Sequence, residues 1–418
     1  MKINLEKYYY IFGEGIVKGT VLLLFTYFTT YLEKEDFGRL TLYWSTIPLL
    51  ALFIDFAQRS FVKKAYLDKG ENIKEVIFTI ILFSFFCVLM YLGIYQVFAL
   101  NNYSLIDSFF DFYLIICAFL FVVVEVFLSY LQISGQALKY MIIYIGKSLI
   151  PYLGTVALFI YAQNNDIYNF PKIQAFTLAF ASILTLIFVC RKISLQDTIK
   201  NFVKYSSQSL NFSLPLIIGT LSAIGLNIAD RYMISFYISD EKVADYTVAY
   251  TIASILTAFF MATNKWWQRF MLTSLKNGDI SLISKKFRVY FLVIILIAFS
   301  LYLAKDIMID LLSNESYSNV NEIIPTLVIG MIFYFLYSVL LNVPFYFSKT
   351  KYVVLPALIA FVLNVILNVI LIPIKGYEVA ALTTCISYFF EFVVIYFICV
   401  KMFGIDIFFG KKKGIDLL

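Results

Sequence analysis

The stretch VVLPALIAFVLNVILNVILIP, residues 353–373, decides the fold class of this chain. It carries no charged residue and matches the ~20 apolar residues that a helix needs to cross a ~30 Å hydrocarbon core. Similar runs recur along the whole sequence. They predict about twelve membrane-spanning helices, at 11–32, 40–61, 76–99, 109–134, 141–163, 170–190, 209–238, 246–268, 289–311, 323–347, 353–373 and 379–402.

The composition agrees with a chain that lies in a membrane. Of the 418 residues 61% are hydrophobic and 14% are charged, whereas soluble domains have about 45–50% apolar and about 25% charged residues. The surplus of apolar side chains must face lipid. The runs lack the alternation of barrel strands, and backbone groups in lipid must be satisfied within a helix. We therefore predict an all-α polytopic membrane protein in which the first run stays as a spanning helix.

Several kinds of chemistry are excluded by what the sequence lacks. It has no histidine, and its five cysteines all fall inside apolar runs without CxxC spacing. These facts argue against His-based catalysis, a zinc site and a disulfide framework. No GxxxxGK[ST] phosphate loop occurs either, so the chain is not expected to hydrolyse ATP. We predict no catalytic residue, no metal site, no cofactor and no nucleic-acid partner, and hence no enzymatic activity.

The basic residues of the short loops predict the orientation. Lys and Arg concentrate in the loops that share a side with the N-terminus, which places both termini in the cytoplasm. The cytoplasmic connection between the two halves, at 191–208, divides six helices from six. These observations predict an N-terminal six-helix bundle at 1–190, a cytoplasmic linker at 191–208, a C-terminal six-helix bundle at 209–402 and a basic cytoplasmic tail at 403–418.

A faint internal repeat supports the division into halves. The run FGRLTLY at 37–43 follows the first span, and ADYTVAY at 244–250 holds the equivalent place in the second half. Internal repeats are typical of transporters, with the substrate path between the repeats. The repeat predicts two six-helix pseudo-repeats around a central cavity.

Ionisable residues inside the predicted spans are the candidate functional residues, because each costs about 2.5–3.5 kcal/mol to insert. Most lie on predicted helices 1, 2, 7 and 8. Two pairs have the i, i+4 spacing that places both side chains on one helix face. The candidates are Glu14 and Lys18, Asp55 and Arg59, Asp230 and Arg231, Lys265, Glu125, Lys147 and Glu391.

Two interpretations of these residues stay open. The cations Lys18, Arg59, Lys147, Arg231 and Lys265 either line a cationic cavity for an acidic or phosphorylated substrate, or extend to the headgroups. The carboxylates of Glu14, Asp55, Glu125, Asp230 and Glu391 either couple transport to an ion or hold helices together. Glu125 and Glu391 have no basic neighbour on their own helix, so each is either protonated or paired with a cation on another helix.

Short motifs resemble those of the polysaccharide repeat-unit flippases, whose O-antigen members belong to the multidrug/oligosaccharidyl-lipid/polysaccharide exporter superfamily. The resemblance extends over the whole chain in length and helix count. Weaker family features are Glu35-Asp36-Phe37-Gly38 and the patch from Asp55 to Arg59. The main motifs are Asn227-x-x-Asp230-Arg231, Val243-Ala244-x-Tyr246-x-x-Ala249-Tyr250, Asn314-Glu315-x-Tyr317, Asn364-x-x-x-Asn368, Ile372-Pro373-x-x-Gly376 and Ala380-Ala381-x-x-Thr384.

The resemblance implies a substrate and a direction of transport. The substrate would be an oligosaccharide on a polyprenyl pyrophosphate, moved from the cytoplasmic to the outer leaflet of a bacterial cell inner membrane by alternating access. H⁺ or Na⁺ is the implied coupling ion, membrane lipids and a polysaccharide polymerase are the implied partners, and a monomer is expected. The sequence departs from the family pattern at one position. The family often has an Asp-x-Gly motif in helix 2, and here Ala57 takes the place of the glycine.

Two other functions are compatible with a chain of this kind. A drug/sodium antiporter of the same superfamily would favour an acidic cavity, whereas the embedded charges here lean basic. A membrane enzyme of the same pathway, such as a polymerase, would need a long outer loop with catalytic arginine, and no predicted outer loop is that long. The flippase is therefore the preferred prediction.

Overall fold

A computed structural model describes residues 6–68, 73–100, 108–163, 165–191, 195–347, 349 and 351–412. Almost all of them are helical. The described residues also form two short 3₁₀ helices, Gln58–Ser60 and Glu315–Glu322, and the strands β1 (Ile405–Asp406) and β2 (Lys411–Lys412). The α-helices are α1 (Glu6–Tyr31), α2 (Lys34–Asp55), α3 (Phe61–Asp68), α4 (Ile73–Leu100), α5 (Ser108–Ile133), α6 (Ala137–Tyr161), α7 (Asn169–Cys190), α8 (Leu195–Tyr237), α9 (Asp240–Asn277), α10 (Ile280–Leu303), α11 (Lys305–Leu312), α12 (Ile324–Leu340), α13 (Asn342–Tyr346), α14 (Lys351–Lys375) and α15 (Val379–Met402).

The predicted fold class, an all-α polytopic membrane protein, is confirmed. Among the described residues, eleven helices are long and apolar enough to cross a membrane. α1 is a further long helix of 26 residues, whose charged Glu14 and Lys18 lower its hydropathy. These helices together agree with the expectation of about twelve spans.

Exposed apolar side chains cover the outer faces of some helices, as expected for helices that contact lipid. On α10, Val289, Leu292, Leu296 and Phe299 are each more than half exposed, at 60%, 58%, 56% and 57%. Their spacing places them along one side of the helix. An exposed apolar stripe of this size is stable only against an apolar solvent.

The chain divides into two compact units, Met1–Leu221 (unit 1) and Ser222–Leu418 (unit 2). The division falls inside α8, which is one continuous helix of 43 residues. Most of the predicted linker at 191–208 is consequently the first part of α8 and not an extended loop.

Unit 1 is held together by a cluster of aromatic rings. Phe28 of α1 is fully buried. Its ring lies 5.4 Å from that of Trp44, 5.7 Å from Tyr152, 5.5 Å from Phe159 and 6.0 Å from Phe170, all edge-on. Edge-on aromatic contacts at these distances are favourable beyond their buried area. The cluster ties α1 to α2, α6 and α7.

Unit 2 is built around α9, α12, α14 and α15, with α12 packed against α15 and α9, and α14 against α15. Trp267 of α9 is fully buried, and its ring lies 5.2 Å from that of Tyr290 on α10. Tyr290 in turn meets Phe335 of α12 edge-on at 4.9 Å. These rings join three helices of the unit.

The predicted span 40–61 is wrong at its end, because the helix stops at Asp55. Phe56 and Ala57 adopt left-handed conformations with φ of 48° and 59°. The Asp55 carboxylate accepts hydrogen bonds from the backbone N–H groups of Ala57, at 3.0 Å, and Arg59, at 3.4 Å. The side-chain caps replace the hydrogen bonds lost where the helix ends. α3 then begins at Phe61.

The C-terminal segment folds back as a small antiparallel hairpin of β1 and β2. The ring of Phe408, between the strands, lies 5.1 Å from Phe287 of α10 and 5.9 Å from Phe392 of α15. The Ser284 hydroxyl donates to the Phe408 carbonyl at 3.1 Å. Part of the predicted basic tail at 403–418 is thus packed onto unit 2.

Candidate functional site

Asp230 lies on α8 with its carboxylate surrounded by hydrogen-bond donors of unit 2. Its Oδ2 accepts from the hydroxyls of Tyr246 at 2.6 Å and Thr384 at 2.5 Å. Its Oδ1 accepts from the side-chain amides of Asn364 at 3.1 Å and Asn368 at 2.5 Å. Only 1% of Asp230 is exposed, so these donors replace the water that burial removes. We call these five residues the Asp230 cluster.

Helical spacing explains how α14 supplies two donors. Asn364 and Asn368 are four residues apart and share one face of the helix. The Thr383 hydroxyl donates to Oδ1 of Asn368, which fixes that amide with its NH₂ group toward Asp230. Asn368 also donates to Oδ1 of Asn364 at 3.1 Å. Each member of the cluster thus constrains another.

The Asp230 cluster contains carboxylate, amide and hydroxyl oxygens, which are the ligands that small hard cations prefer, but here its amides and hydroxyls donate to Asp230 and would have to reorient to bind a cation. Among the described residues, no group of three or more His, Cys, Asp or Glu side chains is placed to hold a metal ion. One carboxylate among neutral oxygens suits a singly charged ion or a proton better than a transition metal. It can equally serve as a fully satisfied packing contact.

Arg231 follows Asp230 directly but has different partners, as expected for side chains about 100° apart around a helix. Its Nε donates to the Thr247 hydroxyl at 3.2 Å, and its Nη1 to the Asn227 carbonyl at 2.9 Å. The guanidinium lies over the ring of Tyr250, 5.1 Å from the centroid. The aromatic ring attracts the cation and helps to hold the guanidinium in place.

Glu391 is the other buried carboxylate of unit 2 among the predicted residues. It lies on α15, is 2% exposed and has the Tyr337 hydroxyl beside it. Its Oε2 has no hydrogen-bond partner within the described structure. Glu391 therefore lacks the complete donor set that surrounds Asp230.

Glu125 and Lys147 form an ion pair inside unit 1, from α5 to α6. Lys147 is buried, and its ammonium also lies 4.5 Å from the centroid of the Phe121 ring. Of the alternatives for Glu125, the structure shows the pairing with a cation on another helix. Lys147 does not extend to the headgroups, and its charge is compensated where it lies.

Asp55 and Arg59 also form an ion pair, with Nε of Arg59 2.9 Å from Oδ2 of Asp55. Asp55 is fully buried, and the two residues meet although the helix ends between them. The turn through Phe56 and Ala57 brings the two side chains together. They do not share a face of one helix, as their i, i+4 spacing had predicted. The charge of Arg59 is thereby compensated too.

The remaining predicted residues lie on α1 and α9. On α1, Lys18 is exposed and Glu14 is partly buried. Lys265 belongs to α9, but its side chain lies outside the described residues.

In the sequence, the partners of Asp230 stand out only as parts of the family motifs, and they were not predicted as site residues. The signal was present in Asn364 and Asn368, since two amides at i, i+4 in an apolar span are costly without a polar partner. Tyr246 and Thr384 gave no such signal, because both residue types are common in membrane helices. Their role depends on the contact itself.

Residues 7–265 match the family model described as "Polysaccharide biosynthesis protein". The chain belongs to this family. A membrane protein of Haemophilus influenzae, itself described as uncharacterized, is 24% identical over 276 residues. That match covers 65% of this chain and 66% of the relative, slightly under two thirds of the relative's length.

Solved structures share the fold of this member of the polysaccharide biosynthesis family. An inward-facing multidrug resistance MATE family transporter of the MOP superfamily aligns with a TM-score of 0.65 and 13% identity, covering 91% of this chain and 96% of that one. The lipid II flippase MurJ, in an inward closed conformation, aligns with a TM-score of 0.62 and 15% identity, covering 94% and 87%. A MOP superfamily transporter from Pyrococcus furiosus aligns with a TM-score of 0.58 and 14% identity, covering 94% of this chain and 97% of that one. The chain therefore has the MOP transporter fold.

Proposed function

We propose that this chain is a flippase that moves polyprenyl-pyrophosphate-linked oligosaccharide repeat units from the cytoplasmic to the outer leaflet of a bacterial inner membrane. The observation that carries the proposal is membership of the polysaccharide biosynthesis family in a chain with the MOP transporter fold. One protein of that fold is a lipid II flippase. Transport by alternating access, both termini in the cytoplasm and action as a monomer belong to the same proposal.

In this proposal Arg231 is the principal contact for the pyrophosphate. Its guanidinium is held in position by Thr247, Asn227 and Tyr250. A positioned guanidinium suits bidentate contact with phosphate oxygens. Lys18 and Lys265 are secondary candidates. Arg59 and Lys147 contribute less, because each is paired with a carboxylate.

We further propose that the Asp230 cluster couples transport to H⁺ or Na⁺. Asp230 has neutral donors around it, so an arriving cation or proton would change the charge of the cluster and the orientation of its hydroxyls and amides. The alternative is a packing contact, which would stabilise the unit and leave transport independent of an ion gradient. Glu391 is the second candidate of this type.

The function is tested by reconstituting the purified protein into proteoliposomes. The probe is a prenyl-pyrophosphate-linked disaccharide with an NBD label, and dithionite bleaches whatever label reaches the outer leaflet. We expect dithionite to bleach inner-leaflet label over time only in vesicles that contain the protein. If folded protein in the vesicles does not transfer the probe between leaflets, the proposal is contradicted.

The drug/sodium antiporter remains the second candidate, because MATE family transporters share the fold. The same vesicles can be loaded with ethidium and given a Na⁺ or H⁺ gradient. Gradient-driven ethidium movement without transfer of the lipid-linked probe would favour the antiporter. Transfer of the probe without ethidium movement favours the flippase, and hydrolysis or polymerisation of the probe would reveal an enzyme.

A further inference from the structure

Unit 1 contains a cavity of about 650 Å³ where α3, the start of α4 and the first part of α8 meet. It is distinct from the predicted site residues, none of which lines it. Its walls combine aromatic rings, positive charge and side-chain amides. The residues used below are Phe61, Lys64 and Asp68 of α3 and Lys204, Asn211 and Phe212 of α8.

The break after α2 fixes the walls of this cavity. Gln58, immediately after the left-handed turn, is fully buried and accepts a hydrogen bond from the Ser209 hydroxyl at 2.6 Å. The rings of Phe61 and Phe212 lie 5.7 Å apart. α8 is thereby held against the start of α3, so the cavity is part of the packed fold.

The cavity has an excess of positive charge. The Lys64 ammonium lies 4.9 Å from the centroid of the Phe212 ring, and the Lys204 ammonium 5.8 Å from that of Tyr205. Aromatic faces position an ammonium without cancelling its charge. Asp68 lies one helical turn after Lys64 and can offset one of the two cations. At least one positive charge remains for a ligand.

The lengths of the neighbouring helices indicate that the cavity lies at the level of the lipid headgroups. It is placed between the end of α2 at Asp55 and the start of α4 at Ile73, which are two successive candidate spans. α3 has eight residues, too few to cross the hydrocarbon core. The candidate span within α8, Thr198–Tyr237, has 40 residues, about twice the length needed, so part of it extends beyond the hydrocarbon. Lys200 and Lys204 lie in its first part, and their charge favours a position of this part in the headgroup region.

We propose that this cavity binds the phosphate headgroup of an anionic phospholipid. The phosphate would lie between Lys64 and Lys204, hydroxyls of the headgroup would meet Asp68 and Asn211, and the upper acyl chain would contact Phe61. Lysines at a membrane surface attract anionic lipids, each strengthening binding roughly fivefold. The small net charge gives modest affinity, which suits a lipid abundant in the membrane.

The test is native mass spectrometry of the full-length, delipidated protein titrated with dioleoyl-phosphatidylglycerol or dioleoyl-phosphatidylcholine. We expect phosphatidylglycerol to bind more tightly, and the double variant Lys64→Gln/Lys204→Gln to bind it about twenty-fold more weakly. Lys63→Gln/Lys200→Gln is the matched control, because it makes the same charge change on the same two helices at exposed positions outside the cavity. The control should bind like the unchanged protein.

Two further probes separate a phospholipid from other phosphate compounds. sn-Glycerol 1-phosphate at millimolar concentration should not displace phosphatidylglycerol, and farnesyl pyrophosphate should not bind in preference to it. Displacement by either compound, or equal loss in the two double variants, overturns the proposal. Lys64→Arg/Lys204→Arg should retain lipid binding, and thermal melting should show that every variant is folded.

Discussion

At the scale of single residues, Asp230 shows how a carboxylate is kept inside a membrane protein without a basic side chain as its hydrogen-bond donor. The hydroxyls of Tyr246 and Thr384 and the amides of Asn364 and Asn368 all donate to it. Hydrogen bonds to an ionised group are worth about 1.5–3 kcal/mol each, and an unpaired buried donor costs about 1–3 kcal/mol. Removing the acceptor therefore affects several partners at once.

We expect Asp230→Ala to lower the free energy of unfolding by about 3 kcal/mol, because it leaves buried donors unpaired. The decrease should appear as a lower melting temperature of the purified protein in detergent. Glu241→Gln is the control, since it removes a carboxylate charge at an exposed position of α9. The free energy of unfolding of this control should differ from that of the unchanged protein by no more than about 0.5 kcal/mol. Equal melting temperatures for Asp230→Ala and the unchanged protein would show that the cluster does not stabilise unit 2.

Ala57 shows the cost of a residue that departs from the family pattern. With a φ of 59° it occupies the left-handed region, which costs an L-residue about 1–2 kcal/mol and glycine almost nothing. The Asp-x-Gly motif of the resembling family would place glycine at this position. The structure thus supplies a physical reason for glycine there.

We expect Ala57→Gly to stabilise the protein by roughly 0.5–1 kcal/mol. This is the relief of backbone strain minus the greater conformational entropy that glycine loses on folding. Ala51→Gly, within α2, should have the opposite effect by about 1 kcal/mol, because glycine disfavours a helix interior. Thermal melting of both variants in one detergent gives the comparison. A lower melting temperature for Ala57→Gly would contradict the strain argument.

Arg231 allows the substrate contact to be tested at one position. We expect Arg231→Ala to reduce transfer of the lipid-linked probe at least tenfold, since a charge-assisted hydrogen bond is worth about 1.5–3 kcal/mol. Arg231→Lys keeps the charge but loses the planar fork, so it should retain part of the activity. Normal transfer by Arg231→Ala would remove Arg231 from the proposed substrate path.

At the scale of structural elements, the hairpin of β1 and β2 attaches the C-terminal segment to α10 and α15. Phe408 contacts Phe287, Phe392 and Tyr396, whereas its neighbour Phe409 is 67% exposed. These two adjacent phenylalanine side chains therefore differ in how they are packed. They form a matched pair for testing what holds the hairpin.

We expect Phe408→Ala to detach the hairpin and to lower the free energy of unfolding by about 2 kcal/mol. This is somewhat less than the loss for replacing a fully buried phenylalanine with alanine. Detachment releases the backbone at Lys411 and Lys412 from its pairing with β1, so limited trypsin digestion should remove the C-terminus much faster than in the unchanged protein. Phe409→Ala should be cleaved at the original rate. If both variants are cleaved alike, the contacts of Phe408 do not hold the hairpin.

At the scale of the whole molecule, the proposed coupling of transport to an ion gradient can be separated from transport itself. Proteoliposomes with an imposed Na⁺ gradient, H⁺ gradient or neither should show acceleration of probe transfer by one of the two ions. Asp230→Asn should abolish that acceleration and leave slow transfer without a gradient. Retained acceleration in Asp230→Asn would move the coupling role to Glu391 or another carboxylate.

The sequence by itself determined the fold class and selected the embedded charges. Both follow from local composition, because a span needs about 20 apolar residues and an ionisable group inside one is costly. The positions of most spans followed from the same pattern, apart from their ends, but the predicted span 289–311 is wrong, because α10 covers Ile280–Leu303 and the chain breaks at Ala304 before α11. The end of α2 could not be predicted, since Phe56 and Ala57 have no preference for a left-handed turn and the caps from Asp55 impose it.

Only the tertiary structure decided the partner of each charge. Glu125 meets Lys147 on the next helix, and Asp230 meets Asn368, which lies 138 residues further along the chain. Such contacts depend on how helices pack, and hydrophobic periodicity carries no information about which polar faces will meet. For this reason the sequence could place Asp230 in a membrane helix, whereas only the packing of α9, α14 and α15 around it showed a fully satisfied carboxylate.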